Sequence, residues 1–363
     1  MNELQAARAE IDQIDREMAE LFCRRMRAAE SVAAFKGERG LPILDAVREA
    51  DIVSRRAESV PEELRSFYVE FLRDTMSVSR QYQRYLLSGV RVAYAGTEGA
   101  FAHLAVRKLY PAATAVPYPD FAAAYRAVEE GECDLVLLPV ENSFQGEVGA
   151  VTDLMFSGSL SVNEMTELPV TQDLLAKPGT QLADIRTVVS HPQALGQCAA
   201  YIQKHGFRTE EHSNTALAAR FVANSEDRTV AAIASREAAE LFGLGVLATN
   251  INTANTNSTR FAVFSRTPHR PSPAEQGVHS ILLFTVPNQA GALARAIDII
   301  GAHGFNLRTL RSRPMKELFW QYYFFAEADG NLYEPEGKAL LSDLAPCCER
   351  LKIVGCYREG ART

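Results

Sequence analysis

From residue 4 to residue 35 the chain runs without proline or glycine. Its apolar positions fall in two rows: Leu4, Ile11, Met18 and Val32, then Ala7, Ile14, Leu21, Ala28 and Phe35. Such rows predict one long amphipathic helix. Between Met18 and Val32 the first row is broken by Arg25. An unpaired charge on a buried stripe is costly, so Arg25 must either snorkel or meet an anion. Arg8 and Lys36 lie on the flank of the stripe, in one row with Asp15 and Phe22. A rise of ~1.5 Å per residue puts Arg8 about 25 Å from Arg25 and about 40 Å from Lys36. One small ligand cannot touch all three. Either Arg8 serves another site, or an antiparallel second copy lends its own Arg8, which implies a dimer.

Gly37 and Gly40-Leu41-Pro42 end this helix, Asp45 is placed to cap a second, and Pro61-Glu62-Glu63 opens a third. The third is expected to bury Phe67, Phe71 or Leu72, Val78, Tyr82 and Leu86, and Ser77 and Gln81, four apart, share one of its faces. The periodicity then changes. Residues 91–96 read as a strand running into a glycine turn and a helix through Leu104 and Val106, a geometry able to cradle an anion. Residues 118–130 read as another helix, and residues 135–140 as a continuously apolar, buried strand. Glu141-Asn142-Ser143 follows it, at the carboxyl end of a buried strand where open α/β sheets bind ligands, although asparagine is also a plain turn former.

A second series begins near Leu168, with strands at 187–190 and 230–234 and a helix carrying Gln197, which Ser190 is expected to cap. His191 precedes a proline and suits a structural role as well as a catalytic one; Cys198 has no histidine beside it in sequence to activate it. An Asn- and Thr-rich stretch, 249–259, leads into a returning strand at 260–264. This is the pattern of two α/β lobes with a cleft between them. A proline-rich linker, 268–277, precedes strands at 280–286, 306–313, 319–326 and 352–356 with helices at 291–302 and 336–344, a βαββαβ order that predicts a ferredoxin-like plait. The predicted domains are therefore 1–88, 90–267 and 278–358.

At 363 residues the chain has room for three such domains. A net charge of -7 argues against a nucleic-acid partner. Charges among the first twenty residues and the lack of a long apolar run predict a cytoplasmic protein without signal peptide or membrane span. Cys23, Cys133, Cys198, Cys347, Cys348 and Cys356 have no metal-site spacing, and no His-x-x-x-His pair occurs, so neither metal nor other cofactor is expected.

With Arg8, Arg25, Lys36, Asp45, Arg48-Glu49 and Ser77 with Gln81, the first segment resembles the all-helical chorismate mutase domain. The middle segment carries Gly96-Thr-Glu-Gly-Ala-Phe101, Pro139-Val-Glu-Asn142, Ser190-His-Pro-Gln193 with Gln197-Cys198, Asn214-Thr215-Ala216 and Asn257-Ser-Thr259-Arg260-Phe261. In order and spacing these resemble the prephenate dehydratase domain, with Asn214 standing where serine is usual. Gly291-Ala292-Leu293 and Ser312-Arg313-Pro314 give the last segment a resemblance to the ACT amino-acid-binding domain. Arg311, where glutamate is usual, and Ala294, where a bulkier apolar residue is usual, depart from it.

The resemblance implies a bifunctional enzyme with a periplasmic-binding-protein-like dehydratase domain. In the first domain, chorismate would rearrange to prephenate. Arg8, Arg25, Asp45, Arg48 and Ser77 would bind the substrate, while Lys36 and Gln81 donate to the ether oxygen and Glu49 accepts from the ring hydroxyl. In the second, prephenate would become phenylpyruvate, with Thr259 hydrogen-bonding the departing hydroxyl. Asn142, Ser190, Gln197 and Arg260 would orient the substrate, or Arg260 would stand behind the site in an ion pair. Gly291, Ala292, Leu293, Ser312, Arg313 and Pro314 would hold phenylalanine between paired domains of a homodimer or higher oligomer. A ligand-sensing protein is the contrasting reading, since two-lobed clefts and ACT modules also serve as binding proteins. Thr259 and the complete mutase set, for which a sensor has no evident use, distinguish the two.

Overall fold

The computed structural model describes residues 2–253, 257–272, 275–315 and 321–359, which form two compact units, Met1–Arg91 and the chain from Val92 onward. The first unit is helical: α1 (Glu3–Arg39), α2 (Ala46–Ala57) and α3 (Arg65–Ser88). Asn2 and Gln5 form a capping box at the start of α1, and Gly40, in the left-handed region at φ 61°, stops it. Asp45 caps α2 through the Arg48 N–H at 3.0 Å, as its position predicts.

The predicted buried stripe of α1 is not what the single chain buries. Met26, Ala29 and Ala33 are the buried residues, whereas Leu4, Ile11, Ile14, Met18, Leu21 and Phe35 are exposed. In α3 the buried positions are Met76, Ser79 and Gln83; Phe67, Phe71, Val78 and Leu86 face outward. Three helices of one chain enclose only part of α1, which leaves the apolar rows without a partner surface.

The second unit opens with β1 (Arg91–Ala95), α4 (Phe101–Leu109), β2 (Thr114–Tyr118), α5 (Phe121–Glu129), β3 (Leu135–Asn142), β4 (Gly146–Glu147), α6 (Gly149–Ser157) and β5 (Ser161–Pro169). Tyr118, the first residue of the predicted helix, instead ends β2, and Asp120 caps α5 by accepting from the Ala123 N–H at 2.8 Å. The chain crosses to a second lobe made of β6 (Asp173–Ala176), β7 (Thr187–Ser190), α7 (Pro192–Gln197), α8 (Ala199–His205), β8 (Arg208–Glu211), α9 (Thr215–Asn224), β9 (Val230–Ala234), α10 (Arg236–Phe242) and β10 (Gly245–Ala248). It returns in β11 (Ser258–Ser265), which lies antiparallel between β3 and β5. The two lobes have separate sheets, the second in the order β10-β6-β9-β7-β8.

The last segment is β12 (Val278–Thr285), α11 (Ala292–Ala302), β13 (Leu307–Pro314), β14 (Tyr322–Asp329), α12 (Pro335–Leu344) and β15 (Arg350–Glu359). Its antiparallel order β13-β14-β12-β15 is that of the predicted plait. Residues 316–320, at the start of the predicted third strand, lie outside the described residues. The plait joins the first lobe: β15 pairs parallel with β5, so one sheet runs through both. Gly355 permits this approach, since a Cβ there would stand 2.0 Å from the Val162 carbonyl oxygen. One apolar core spans the boundary, from Tyr125, Leu138 and Phe264 to Leu283, Phe325 and Tyr357.

Candidate active sites

In the helical unit, α1, α2 and α3 enclose a cavity of about 400 Å³. Arg25, Lys36, Arg48, Arg56 and Arg80 line it, against the carboxylates Asp45 and Glu49. That excess of positive charge suits a small dianion, and guanidinium forks match carboxylates. Arg25 donates to the Thr75 carbonyl at 3.2 Å; burial lowers its pKa and Glu49 opposes the shift. Lys36 Nζ donates to the Ile43 carbonyl at 2.5 Å, and Glu49 is ion-paired with Arg80.

Ser77 and Gln81 do not line the cavity; Ser79 and Gln83 do. The two pairs have the same spacing, but a step of two residues turns about 200° round a helix. The Gln81 amide donates to the Ser77 hydroxyl at 3.3 Å. Gln83 donates to the Ser79 carbonyl at 3.2 Å, and its buried Oε1 has no protein partner. Arg56 and Arg80 were not singled out in the sequence, where helical arginines read as solvated. Arg8 is exposed and does not line the cavity.

In the two-lobed domain the observation that stands out is a hydrogen-bond cluster between β3 and β11. Thr259 is the register partner of Asn142. The Asn142 amide donates to the Thr259 hydroxyl oxygen at 3.0 Å, to Asn257 Oδ1 at 3.0 Å and to the Ser258 carbonyl at 3.1 Å. Its Oδ1 accepts from the Phe144 and Gln145 N–H groups at 3.0 and 3.2 Å. Asn142 is thus more than a turn former: it fixes Thr259 with the hydroxyl oxygen already accepting, so the Thr259 O–H is left to donate.

The crossings beside this cluster hold several buried polar atoms without a protein partner, namely Gln172 Oε1, Gln197 Oε1 and Asn257 Nδ2. The backbone ties them together. The Ile251 N–H donates to the Gln172 carbonyl at 2.9 Å, and the Thr253 N–H to the Gln197 carbonyl at 2.8 Å. Buried polar atoms are normally satisfied, so these are candidates to meet the polar groups of a ligand. Gln172 escaped sequence reasoning because a lone glutamine between two strands carries no motif.

Other predicted residues sit differently. Ser190 does not cap α7; its buried hydroxyl donates to the Ile233 carbonyl at 2.5 Å, and His191 is the cap, accepting from the Gln193 N–H at 3.3 Å. Cys198 is buried in the core of the second lobe, and burial pushes its thiol up to about 12, as for a packing cysteine. Asn214 caps α9 at 2.7 Å, as a serine would. The Gly99 N–H at the predicted anion cradle is taken by His103 Nδ1 at 3.1 Å. Arg260 grips Glu327 with two bonds of 3.0 and 3.2 Å and reaches the Tyr357 hydroxyl at 3.2 Å, the ion-paired placement of the two expected for it. Adjacent residues of a strand point to opposite faces, so Arg260 turns toward the plait when Thr259 does not. Burial opposes both charges, yet the pairing prevails, raising the Arg260 pKa and lowering that of Glu327. A cavity of about 760 Å³ borders the first crossing, between Phe101 and Leu104 on one side and Glu237 and Leu241 on the other. None of Asn142, Ser190, Gln197 and Thr259 lines it.

In the plait, Gly291 has φ 81° and precedes α11, which begins with Ala292. Leu293 lines a cavity of about 170 Å³ with Val286, Tyr322 and Phe324. Ser312, Arg313 and Pro314 do not line it. Arg313 is held instead by Asp153 and the Tyr323 hydroxyl, both at 3.1 Å.

Residues 7–84 match the chorismate mutase type II family and residues 92–269 the prephenate dehydratase family. The bifunctional chorismate mutase/prephenate dehydratase of Neisseria gonorrhoeae is 31% identical over 357 residues, which span 96% of this chain and 94% of that one. The chain belongs to this bifunctional family. Among solved structures, a prephenate dehydratase from Arthrobacter aurescens in complex with L-Phe is similar to 76% of this chain and 92% of its own, at 28% identity and a TM-score of 0.69. A structure described as a novel type of quorum quenching acylase is similar to 75% of this chain and 98% of its own, at 32% identity and a TM-score of 0.69. The prephenate dehydratase match ends at residue 269, so the plait lies beyond both matched families. Among the described residues, no helix is long and apolar enough to cross a membrane, and no cluster of side chains could hold a metal ion.

Proposed function

We propose that this member of the bifunctional chorismate mutase/prephenate dehydratase family converts chorismate to prephenate in the helical unit and prephenate to phenylpyruvate in the two-lobed domain. The observation that carries the reading is the Asn142 to Thr259 hydrogen bond across paired strands. The first reaction breaks an ether C–O bond and forms a C–C bond with no proton transferred. It needs only a site that holds the dianion compact and stabilises charge on the ether oxygen. Arg25 and Arg48 clamp the carboxylates, Lys36 donates to the ether oxygen, and Glu49 accepts from the ring hydroxyl. We assign the second ether contact and its neighbour to Gln83 and Ser79 in place of Gln81 and Ser77. The exposed apolar rows of α1 support an antiparallel partner helix, which delivers a second copy's Arg8.

In the second reaction the ring carboxylate leaves as carbon dioxide. Its electron pair aromatises the ring, and the ring hydroxyl departs as hydroxide, to be protonated to water. Thr259 donates to the departing oxygen. A threonine hydroxyl is too weak an acid to give up its proton outright, so the proton reaches the leaving group through a relay. Gln197 and Gln172 offer acceptors to the substrate's polar groups. The C-terminal plait is an ACT module whose effector is phenylalanine, bound between two copies. Among the described residues β13, which carries Ser312, Arg313 and Pro314, ends the strand order of the sheet, and Leu293 lines the cavity of about 170 Å³.

Supplying chorismate alone to the purified chain tests the reading. Phenylpyruvate is the expected product, and binding without turnover overturns the enzyme reading in favour of a sensor.

A further inference from the structure

Four charged side chains behind the Asn142–Thr259 pair have no part in the chemistry above. Glu141 precedes Asn142 in β3 and is the register partner of Arg260 in β11. Arg311, from β13 of the plait, is ion-paired with Glu141, and Arg260 lies 3.9 Å from the same carboxylate while gripping Glu327 of β14. The four converge on one void of about 10 Å³. Residues alternate across a strand, so this cluster occupies the face opposite to Asn142 and Thr259. The β3–β11 register shifts between Arg260 and Phe261. A bulge interrupts the ladder of hydrogen bonds there, and the charges flank that position.

We propose that Arg311 is a positioning residue for the dehydratase: through Glu141 it fixes β3 against β11 and so sets Asn142 against Thr259. The plait thereby supplies part of the active-site scaffold. The inference rests on the dehydratase reading, and the chorismate mutase of the same polypeptide serves as an internal control.

The experiment measures phenylpyruvate formation from prephenate for the full-length wild type, R311M, R311K, E141Q and the R311M/E141Q double variant. R311M is expected to lower kcat about 10-fold with KM within about 2-fold, a loss of the kind made only at the transition state. R311K, which keeps the charge, should recover most of it. E141Q, which keeps the packing, should match R311M, and the double variant should be no worse than either, because one interaction cannot be lost twice. Mutase activity should stay at the wild-type level throughout. R311M or E141Q at wild-type kcat, additive losses in the double variant, or a change confined to KM would overturn the clamp. A wild type that forms no phenylpyruvate from prephenate would instead overturn the dehydratase reading itself.

Discussion

Replacing Asn142 by aspartate is the sharpest perturbation of the dehydratase site, because it exchanges one donor for an acceptor and changes little else. The amide donates to three oxygens, those of Thr259, Asn257 and Ser258, at 3.0 to 3.1 Å. A carboxylate there would keep the bonds from the Phe144 and Gln145 N–H groups and so preserve the turn. It would have no proton for the other three and would face them with negative charge. An acceptor left without its donor in a buried setting costs about 1–3 kcal/mol, which is about 5- to 150-fold if the loss falls on the transition state. Facing three acceptors also favours the neutral acid, so the introduced carboxyl has a raised pKa. Below that pKa it carries an O–H and can donate to Thr259; above it the donor is gone. The dehydratase rate of Asn142→Asp should therefore fall as pH rises, relative to wild type, with mutase activity unchanged. The assay is phenylpyruvate formation from prephenate between pH 5 and 8. A variant that keeps the wild-type rate and pH profile would show that Asn142 does not set the Thr259 hydroxyl.

Thr259→Ala should abolish phenylpyruvate formation while chorismate is still consumed and prephenate accumulates; a variant that retains the dehydratase refutes the assigned donor. For the mutase, Gln83→Ala should lower kcat about 100-fold or more and Gln81→Ala less than about 3-fold, given a catalytic hydrogen bond of ordinary strength. The reverse order would restore the Ser77/Gln81 assignment. Mixing Arg8→Ala with Arg25→Ala protein should partly restore mutase activity if sites are shared between antiparallel copies, and no recovery in verified mixed dimers would remove that geometry. Burial beside Arg350 lowers the Lys352 pKa to about 8 from 10.5, so the folded state sheds this proton before the unfolded one does. The stabilisation this gives is fully present above pH 10.5 and is lost as pH falls through about 8. Wild type should gain in melting temperature over Lys352→Met from pH 8 to 10, and parallel curves would contradict the lowered pKa.

Helix and strand types were legible where periodicity was long or burial was continuous, as in α1, β3 and β11. Which face a helix buries was not. The α1 rows are apolar enough for a core, yet a single chain gives them nothing to pack on, and sequence cannot say whether the partner surface lies in the same copy. The Ser-x-x-x-Gln spacing occurs twice in α3, at Ser77 and at Ser79, and spacing alone does not choose between registers that point to opposite sides. Asn142 and Thr259 were found as motifs, but the bond between them spans 117 residues, a separation local patterns do not resolve. The same holds for Arg260, whose partner Glu327 belongs to a different segment. Tyr118 begins a helix in the sequence reading but ends β2 in the structure, because the capping role of Asp120 was missed.

The pairing of β15 with β5 changes what the linker is for. A proline-rich connection between segments ordinarily means that cutting it sets one piece free. Here the last strand of the plait lies on a strand of the first lobe, with Gly355 letting the backbones meet, and the two share one core. Cleavage of the peptide between Thr267 and Val278 would leave a nicked molecule whose halves stay together, much as two halves of a split protein do. The linker sets the local concentration of the plait while the chain folds. Once the sheet is continuous, the tether has little left to hold.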